Sequence, residues 1–95
     1  MDIAIVNADY LKERHAEEIG LLMDSYAADP MGGGKSLTQQ VKYNIAKELS
    51  KLPYAFSVIG YIDGMAAGLI NCFELFSTFS CRPLINIHDV IVLKE

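Results

Sequence analysis

The chain has 95 residues, of which 52% are hydrophobic and 21% are charged, and its formal net charge is −4. This length and composition predict one small globular domain and exclude a disordered chain. Eight Lys and Arg residues against twelve Asp and Glu residues argue against nucleic-acid binding, because a phosphate backbone selects clustered cations.

Signals for membranes, secretion and metals are weak in this sequence. No apolar run is long enough to cross a bilayer, and residues 1–4 lack the basic segment that opens a signal peptide. We therefore predict a cytoplasmic protein with no membrane partner. Cys72 and Cys81 are too far apart for a paired metal site, and His15 and His88 fall in different predicted elements, so we predict no metal and reduced thiols.

The first part of the chain predicts a strand and then a helix. Residues 2–7 form a short apolar strand, and Asn7 or Asp9 is a candidate N-cap for the helix. Over residues 9–28 apolar side chains recur at helical spacing, which predicts an amphipathic helix. Its predicted buried stripe consists of Leu11, His15, Ile19, Leu22, Met23 and Tyr26.

A glycine-rich connection and a second helix come next. Residues 29–36 end in Gly-Lys-Ser, as a nucleotide-binding loop does, but such a loop needs a glycine where Asp29 stands and a strand just before it. We therefore predict a flexible connection that can flank a ligand cleft. Ser36 and Gln39 form a capping box, which predicts a helix over residues 36–51.

The second half of the chain predicts three strands. Residues 55–62 and 65–76 form a hairpin around Asp63-Gly64, a pair that suits a tight turn with positive φ at both positions. Gly60 and Gly68 are expected to mark bulges or close backbone approaches. The three phenylalanines within residues 73–79 are compatible with a core, a substrate mouth or a subunit contact. The last strand covers residues 84–93.

The predicted fold is an α+β domain over residues 1–95, with the order β-α-α-β-β-β, two helices and a mostly antiparallel sheet. The last strand is apolar on both faces, which is typical of an interior strand, yet no segment comes after it to cover it. We therefore expect this chain to be half of a larger fold. Strict alternation along the strand places Asn86 and His88 on one face and Asp89 on the other.

This order, together with three segments, resembles the N-terminal half of the GNAT superfamily of acetyl-CoA-dependent N-acetyltransferases. The segments are residues 27–34 (AADPMGGG), 71–79 (NCFELFSTF) and 82–89 (RPLINIHD). The resemblance implies transfer of acetyl from acetyl-CoA to a small amine. It also implies that main-chain groups of the last strand bind the pantetheine arm of the cofactor, at Val90, Ile91 and Val92.

The same resemblance places the candidate catalytic residues on the last strand. Asn86 stands where some relatives carry the base, although an amide cannot accept the proton. His88 carries an imidazole, a side chain that commonly acts as a general base, and Asp89 is a further carboxylate candidate.

Relatives continue with an Arg- and Gly-rich loop whose amides hold the cofactor pyrophosphate at a helix N-terminus. That loop is missing from this sequence, so we expect this portion to be inactive alone and to need a second polypeptide for catalysis. The alternative is a non-catalytic remnant or interaction module. Such a module is expected to form a homodimer or higher oligomer through its exposed strand and apolar face.

Overall fold

The computed structural model describes residues 1–93, which form a four-stranded antiparallel sheet and two α-helices. The strands are β1 (Ile3–Asn7), β2 (Ala55–Ile62), β3 (Met65–Ser77) and β4 (Arg82–Val92), and they lie side by side in that order. The helices are α1 (Glu13–Ala28) and α2 (Gln39–Leu49), with a 3₁₀ helix at Pro30–Gly32 between them. The predicted α+β fold with the order β-α-α-β-β-β is confirmed.

The sheet is built from hairpins, and the first of them agrees with the local sequence. Asp63 and Gly64 have φ values of 49° and 81°, so both central residues of the β2–β3 turn adopt the positive φ that the sequence predicts. In the β3–β4 turn, Cys81 has a φ of 54°. Because each connection is short, β2, β3 and β4 follow one another across the sheet, and β4 takes the last place in the strand order.

The hydrophobic core lies between α1 and one face of the sheet. Ile19 of α1 and Ile59 of β2 are wholly buried, and Leu22, Leu69 and Ile91 join them. We call this side of the sheet the helical face, and it carries Ser57, Ile59, Leu69, Asn71 and Ile91. The opposite side, here called the open face, carries Ile3, Ile5, Ile85, Ile87, Val90 and Val92, which are between 57% and 76% exposed.

A cluster of polar contacts ties α1 to β2. The Tyr61 hydroxyl donates to the Glu18 carboxylate, and the Arg14 guanidinium lies 5.1 Å from the centre of the Tyr61 ring. Arg14 also bonds Glu18 at 3.1 Å and the Gly64 carbonyl at 2.9 Å. Burial and the adjacent Glu18 carboxylate raise the pKa of Tyr61 to about 12, so its hydroxyl stays a donor at neutral pH.

Both helices begin later than the sequence predicts. Before α1, the Asp9 carboxylate accepts from the Leu11 amide at 3.0 Å, and this turn delays the helix to Glu13. Leu11, predicted in the buried stripe, is consequently 82% exposed. At α2, Thr38 Oγ1 accepts from the Val41 amide at 3.2 Å, so Thr38 is the N-cap and the predicted capping box of Ser36 and Gln39 is wrong.

Two bulges interrupt the ladders of the sheet. After the Gly60–Gly68 pair, Tyr61 pairs with Ala66, which leaves Ala67 as an extra residue in β3. Both glycines therefore border a bulge, as predicted. A Cβ on Gly68 would lie 3.3 Å from the Ile91 carbonyl oxygen, which is the close backbone approach also foreseen there.

None of the helices within residues 1–93 is both long enough and apolar enough to cross a membrane. Residues 94 and 95 lie outside the described part of the chain. The predicted last strand, over residues 84–93, does not include them. The strand predicted over residues 84–93 is found over Arg82–Val92, so it begins earlier because Arg82 and Pro83 pair with Ser77 and Phe76.

Candidate functional site

The second bulge brings the three candidate catalytic side chains onto one face of the sheet. Asn71 pairs with Asp89 and Cys72 pairs with Ile87, which leaves His88 as an extra residue in β4. The His88 ring meets the Phe73 ring edge-on, with centroids 5.5 Å apart. Asp89 Oδ2 accepts from Asn71 Nδ2 at 3.1 Å.

Asn71 and Phe73 are two positions apart on β3, so their side chains point to the same face of the sheet. Asp89 bonds the Asn71 side chain and the His88 ring contacts the Phe73 ring, so Asp89 and His88 lie on that face too. Asn86 is the Cα partner of Phe73 and therefore lies on that helical face as well. The alternation that separates Asp89 from His88 in the sequence is wrong here, because the bulge adds one residue and shifts the phase.

The three candidates differ in exposure. Asn86 and His88 are exposed, whereas Asp89 is half-buried against β3. An exposed imidazole can exchange protons with a bound molecule, while a carboxylate held by a neighbouring amide is fixed in orientation. Within residues 1–93, no group of three or more His, Cys, Asp or Glu side chains is arranged to hold a metal ion.

A chain of polar side chains runs through the core behind Asp89. The Tyr10 hydroxyl lies 2.7 Å from Ser57 Oγ, and Ser57 Oγ donates to Asn71 Oδ1 at 2.7 Å. Since the single Ser57 proton goes to Asn71, the Tyr10 hydroxyl is the donor to Ser57. Burial raises the pKa of the Tyr10 phenol, the Ser57 bond lowers it, and the balance is upward, which keeps this donor protonated.

The sequence pattern did not reveal this polar chain. Ser57 and Asn71 are 1% and 4% exposed, although both stand within apolar strand segments. A buried polar group is costly unless it is bonded, so a polar residue at an inward strand position is itself a signal for a network. That signal becomes usable only when the inward face is known, and two bulges obscure the face in this sheet.

The main chain of β4 has outward-facing groups at two of the three predicted cofactor-binding positions, Val90 and Val92, and the prediction for Ile91 is wrong because its groups face β3. The Leu93 amide donates to the Ala67 carbonyl at 2.8 Å, so Leu93 faces β3. By the alternation of an antiparallel ladder, the N–H and C=O groups of Ile91 also face β3, and those of Val92 and Val90 point away from it. Because β4 ends the strand order, these groups line the outer edge of the sheet.

A cleft lies beside this edge, between the end of α1 and the end of β4. Its volume is ≈ 360 Å³, and one wall comes from β4 and Leu93. The other wall comes from the end of α1 and the glycine-rich connection, through Ser25, Tyr26, Asp29 and Met31. The glycine-rich connection therefore flanks a cleft, and binding of a ligand there stays a prediction.

The glycine-rich connection does not offer its amides to a phosphate. The Asp29 side chain accepts from the Met31 amide at 2.9 Å, and the Asp29 carbonyl accepts from the amides of Gly32 and Gly34 at 2.8 and 2.9 Å. The Gly33 amide bonds Pro30 and the Lys35 amide bonds Ala27. With five successive amides turned inward, the segment cannot act as the anion-binding loop that its Gly-Lys-Ser ending suggests.

Cys72 has a buried thiol on β3. It is 5% exposed, and burial raises the pKa of its thiol, which keeps the sulfur protonated and a poor nucleophile. Cys81 is exposed in the β3–β4 turn, and both cysteines are free.

No protein-family model matches the sequence, and neither does any curated protein sequence. Solved structures do match. A ribosomal-protein-alanine N-acetyltransferase from Brucella melitensis is 18% identical, with a TM-score of 0.72 over 96% of this chain and 57% of its own. A possible acetyltransferase from Clostridium difficile is 18% identical, with a TM-score of 0.75 over 95% of this chain and 57% of its own.

A GNAT family acetyltransferase from Staphylococcus aureus is 11% identical, with a TM-score of 0.73 over 97% of this chain and 63% of its own. The chain therefore has part of the GNAT acetyltransferase fold, as the resemblance of its segments implied. It spans about three fifths of the length of these three structures.

Proposed function

We propose that this chain is a portion of an acetyl-CoA-dependent N-acetyltransferase and that the outer edge of β4 binds the pantetheine arm of the cofactor. The observation that carries the proposal is the pair of outward-facing main-chain positions, Val90 and Val92, beside the ≈ 360 Å³ cleft. Pantetheine is a linear chain with amide groups, so it can pair with an exposed strand edge as an added strand would. Val90 and Val92 are the residues that fit this role, while Ile91 contributes its buried side chain to the core.

The described residues fit the arm of the cofactor better than its pyrophosphate. The amides of the glycine-rich connection are already bonded, so the cluster of N–H groups that a pyrophosphate requires has no counterpart within residues 29–35. The remainder of the acetyltransferase fold, in this polypeptide or in a second one, would supply those groups. We therefore expect weak affinity for acetyl-CoA and no turnover by residues 1–95 alone.

Acetyl transfer also requires a group that takes a proton from the attacking amine. When bound, acetyl-CoA supplies an acetyl thioester that a neutral amine can attack. His88 is the proposed proton acceptor, because its imidazole is exposed on the helical face. Asp89 is held at 3.1 Å by Asn71 and would orient a cationic amine, whereas Asn86 can only donate or accept hydrogen bonds.

Titration calorimetry with acetyl-CoA tests the proposal. We compare the unmodified chain with Val90→Pro, which removes an outward N–H, and with the matched control Val90→Ala, which keeps it. The expected result is weak saturable binding for the unmodified chain and for Val90→Ala, and loss of binding for Val90→Pro with unchanged circular dichroism. Absence of binding heat for the unmodified chain at high micromolar acetyl-CoA would contradict the proposal.

A second candidate function is a non-catalytic module that forms homodimers. It is favoured by the open face and by the end of the β3–β4 hairpin, where Phe76 is 59% exposed and Phe79 is fully exposed. These two side chains are therefore not core residues. Large exposed apolar areas mark association surfaces. Two copies could pair their β4 strands or pack residues 73–79, and sedimentation of a stable monomer at micromolar concentration would contradict either arrangement.

A further inference from the structure

We propose that two copies of this chain join their sheets through β4, antiparallel to β4 of the partner about a two-fold axis. The inference rests on the homodimer candidate above and not on acetyl transfer. It goes further by selecting one of the two arrangements and by fixing the register of the strands. Three properties of β4 carry it: the direction of its main-chain groups, the face of its apolar side chains and the placement of two charged groups.

The first property is the set of outward main-chain groups on both sides of the bulge. Val90 and Val92 point outward, as the Leu93–Ala67 bond requires. Beyond the bulge, the Glu74 amide donates to the Tyr54 carbonyl at 2.8 Å, so Glu74 faces β2. Its neighbours Phe73 and Leu75 consequently face β4, where their Cα partners are Asn86 and Leu84.

With Leu84 and Asn86 turned toward β3, the groups of Ile85 and Ile87 point outward. The outer edge of β4 thus presents four positions to a partner, namely Ile85, Ile87, Val90 and Val92. All four have side chains on the open face, and they are 57%, 58%, 60% and 76% exposed, respectively. Residues 84–92 contain neither Lys nor Pro, the two residue types that commonly protect an edge strand from pairing, and the bulge at His88 is the interruption that a partner strand must match.

The second property is that these four apolar positions, all on the open face, are matched by the same four positions of a second copy. An antiparallel pair forms hydrogen bonds where outward residues of both strands stand opposite each other. If Ile85 stands opposite the partner's Val92, then Ile87 stands opposite the partner's Val90, and the two-fold axis repeats both pairs. Every outward position is then used. The paired Ile and Val side chains bury each other on the open face, which cross-strand aliphatic pairs do favourably.

The third property is charge. The same register puts the two-fold axis between positions 88 and 89, so His88 stands opposite the partner's Asp89. Both side chains lie on the helical face, where His88 contacts Phe73 and Asp89 contacts Asn71. A protonated imidazole and a carboxylate attract, and the axis produces this pair twice. Packing of residues 73–79 would leave the outward main-chain groups of β4 unpaired, so the geometry favours the β4 arrangement.

Disulfide trapping tests the register directly. In a Cys81→Ser background, Ile87→Cys and Val90→Cys chains are purified separately, mixed and oxidised. Directly paired residues in an antiparallel ladder have Cα atoms about 5.5 Å apart, a distance that a disulfide spans. The expected product is a covalent dimer in this mixture. The matched control mixes Ile85→Cys with Val90→Cys, because these two residues are two positions out of register in the proposed dimer. A covalent dimer in the control mixture, without one in the first mixture, overturns the inference.

Sedimentation of unmodified chain, Val90→Pro and Val90→Ala separates this inference from the broader homodimer candidate. Val90→Pro removes two hydrogen bonds per dimer without touching the β3 ladder, so its dimer dissociation constant is expected to rise roughly tenfold over Val90→Ala. A monomeric unmodified chain overturns both proposals. A dimer that survives Val90→Pro but is lost in Phe76→Ser overturns the β4 arrangement alone. If Val90→Pro does not fold, the trapping result decides.

Discussion

Asn71 donates its side-chain amide to the Asp89 carboxylate across the β3–β4 ladder, at an Nδ2–Oδ2 distance of 3.1 Å. The other end of the same amide accepts from Ser57 at 2.7 Å. These two bonds fix which way the amide points, because its oxygen must face the hydroxyl and its nitrogen must face the carboxylate. Asn71 therefore holds the candidate site residue Asp89 in place from inside the core.

Replacing Asn71 by Leu is expected to lower the free energy of unfolding by about 1–3 kcal/mol, because Ser57 and Asp89 lose their partner in a buried setting. Urea unfolding measures the change. The matched control is Asn86→Leu, since Asn86 is exposed on the adjacent strand and its replacement should cost within about 0.5 kcal/mol. Equal losses in the two variants would contradict the role assigned to Asn71.

The raised pKa of Tyr61 predicts that the free energy of unfolding falls in alkaline solution. Its pKa is raised to about 12 from an ordinary value near 10, by burial and then by the Glu18 carboxylate. A raised folded-state pKa means that the stabilisation is complete below pH 10 and is lost as pH rises from 10 to about 12. The loss is on the order of 2 kcal/mol.

Urea unfolding at a series of alkaline pH values measures this effect. In Tyr61→Phe the alkaline decline should become shallower, because the ionising hydroxyl beside Glu18 is gone. Tyr43→Phe serves as the control, since Tyr43 is 78% exposed, and it should keep the decline of the unmodified chain. An identical decline in Tyr61→Phe would show that another group is responsible.

Gly20 of α1 lies against the backbone of α2 at Lys42. A Cβ at this position would lie 2.7 Å from the Lys42 carbonyl oxygen, which real side chains do not tolerate. Gly20→Ala is therefore expected to destabilise the chain by roughly 1–3 kcal/mol, although alanine is about 1 kcal/mol better than glycine in a helix interior. Thermal unfolding measures the balance.

Ser25→Ala, at an exposed position of the same helix, is the control for helix propensity. It should leave the melting temperature unchanged or slightly higher. A stabilised Gly20→Ala variant would mean that the two helices separate easily, and that the spacing between α1 and α2 is not set by this contact.

Cofactor binding and dimer formation are expected to compete, because both proposals use the outward main-chain groups of Val90 and Val92. Acetyl-CoA should therefore raise the dimer dissociation constant, and by reciprocal linkage the dimer should weaken acetyl-CoA binding by the same factor. Sedimentation at increasing acetyl-CoA measures the shift. An adenosine diphosphate control lacks the pantetheine arm and should have no effect. Acetyl-CoA that binds without changing the dimer would contradict a shared edge.

Local signals in the sequence were sufficient for the order of elements. Asp63-Gly64 determined the first hairpin because turn geometry depends on the turn residues themselves, and the helical stripe through Ile19 and Leu22 determined the buried side of α1.

The helix starts were less accessible. Neither Asn7 nor Asp9 caps α1 as predicted, because Asp9 bonds the Leu11 amide in a turn before the helix and Lys12 takes the N-cap position. At α2 it is Thr38 that bonds an amide.

By itself, the sequence predicted a strand over residues 84–93 that is rich in β-branched side chains, with Asn86, His88 and Asp89 as its polar residues. Only the tertiary structure decided that all three lie on the helical face, because a bulge opposite Asn71 shifts the phase of the strand by one residue. The tertiary structure also decided that Ser57 and Asn71 connect Tyr10 to Asp89. Periodicity assigns faces only in a regular strand, and the pairing with β3 determines where regularity ends.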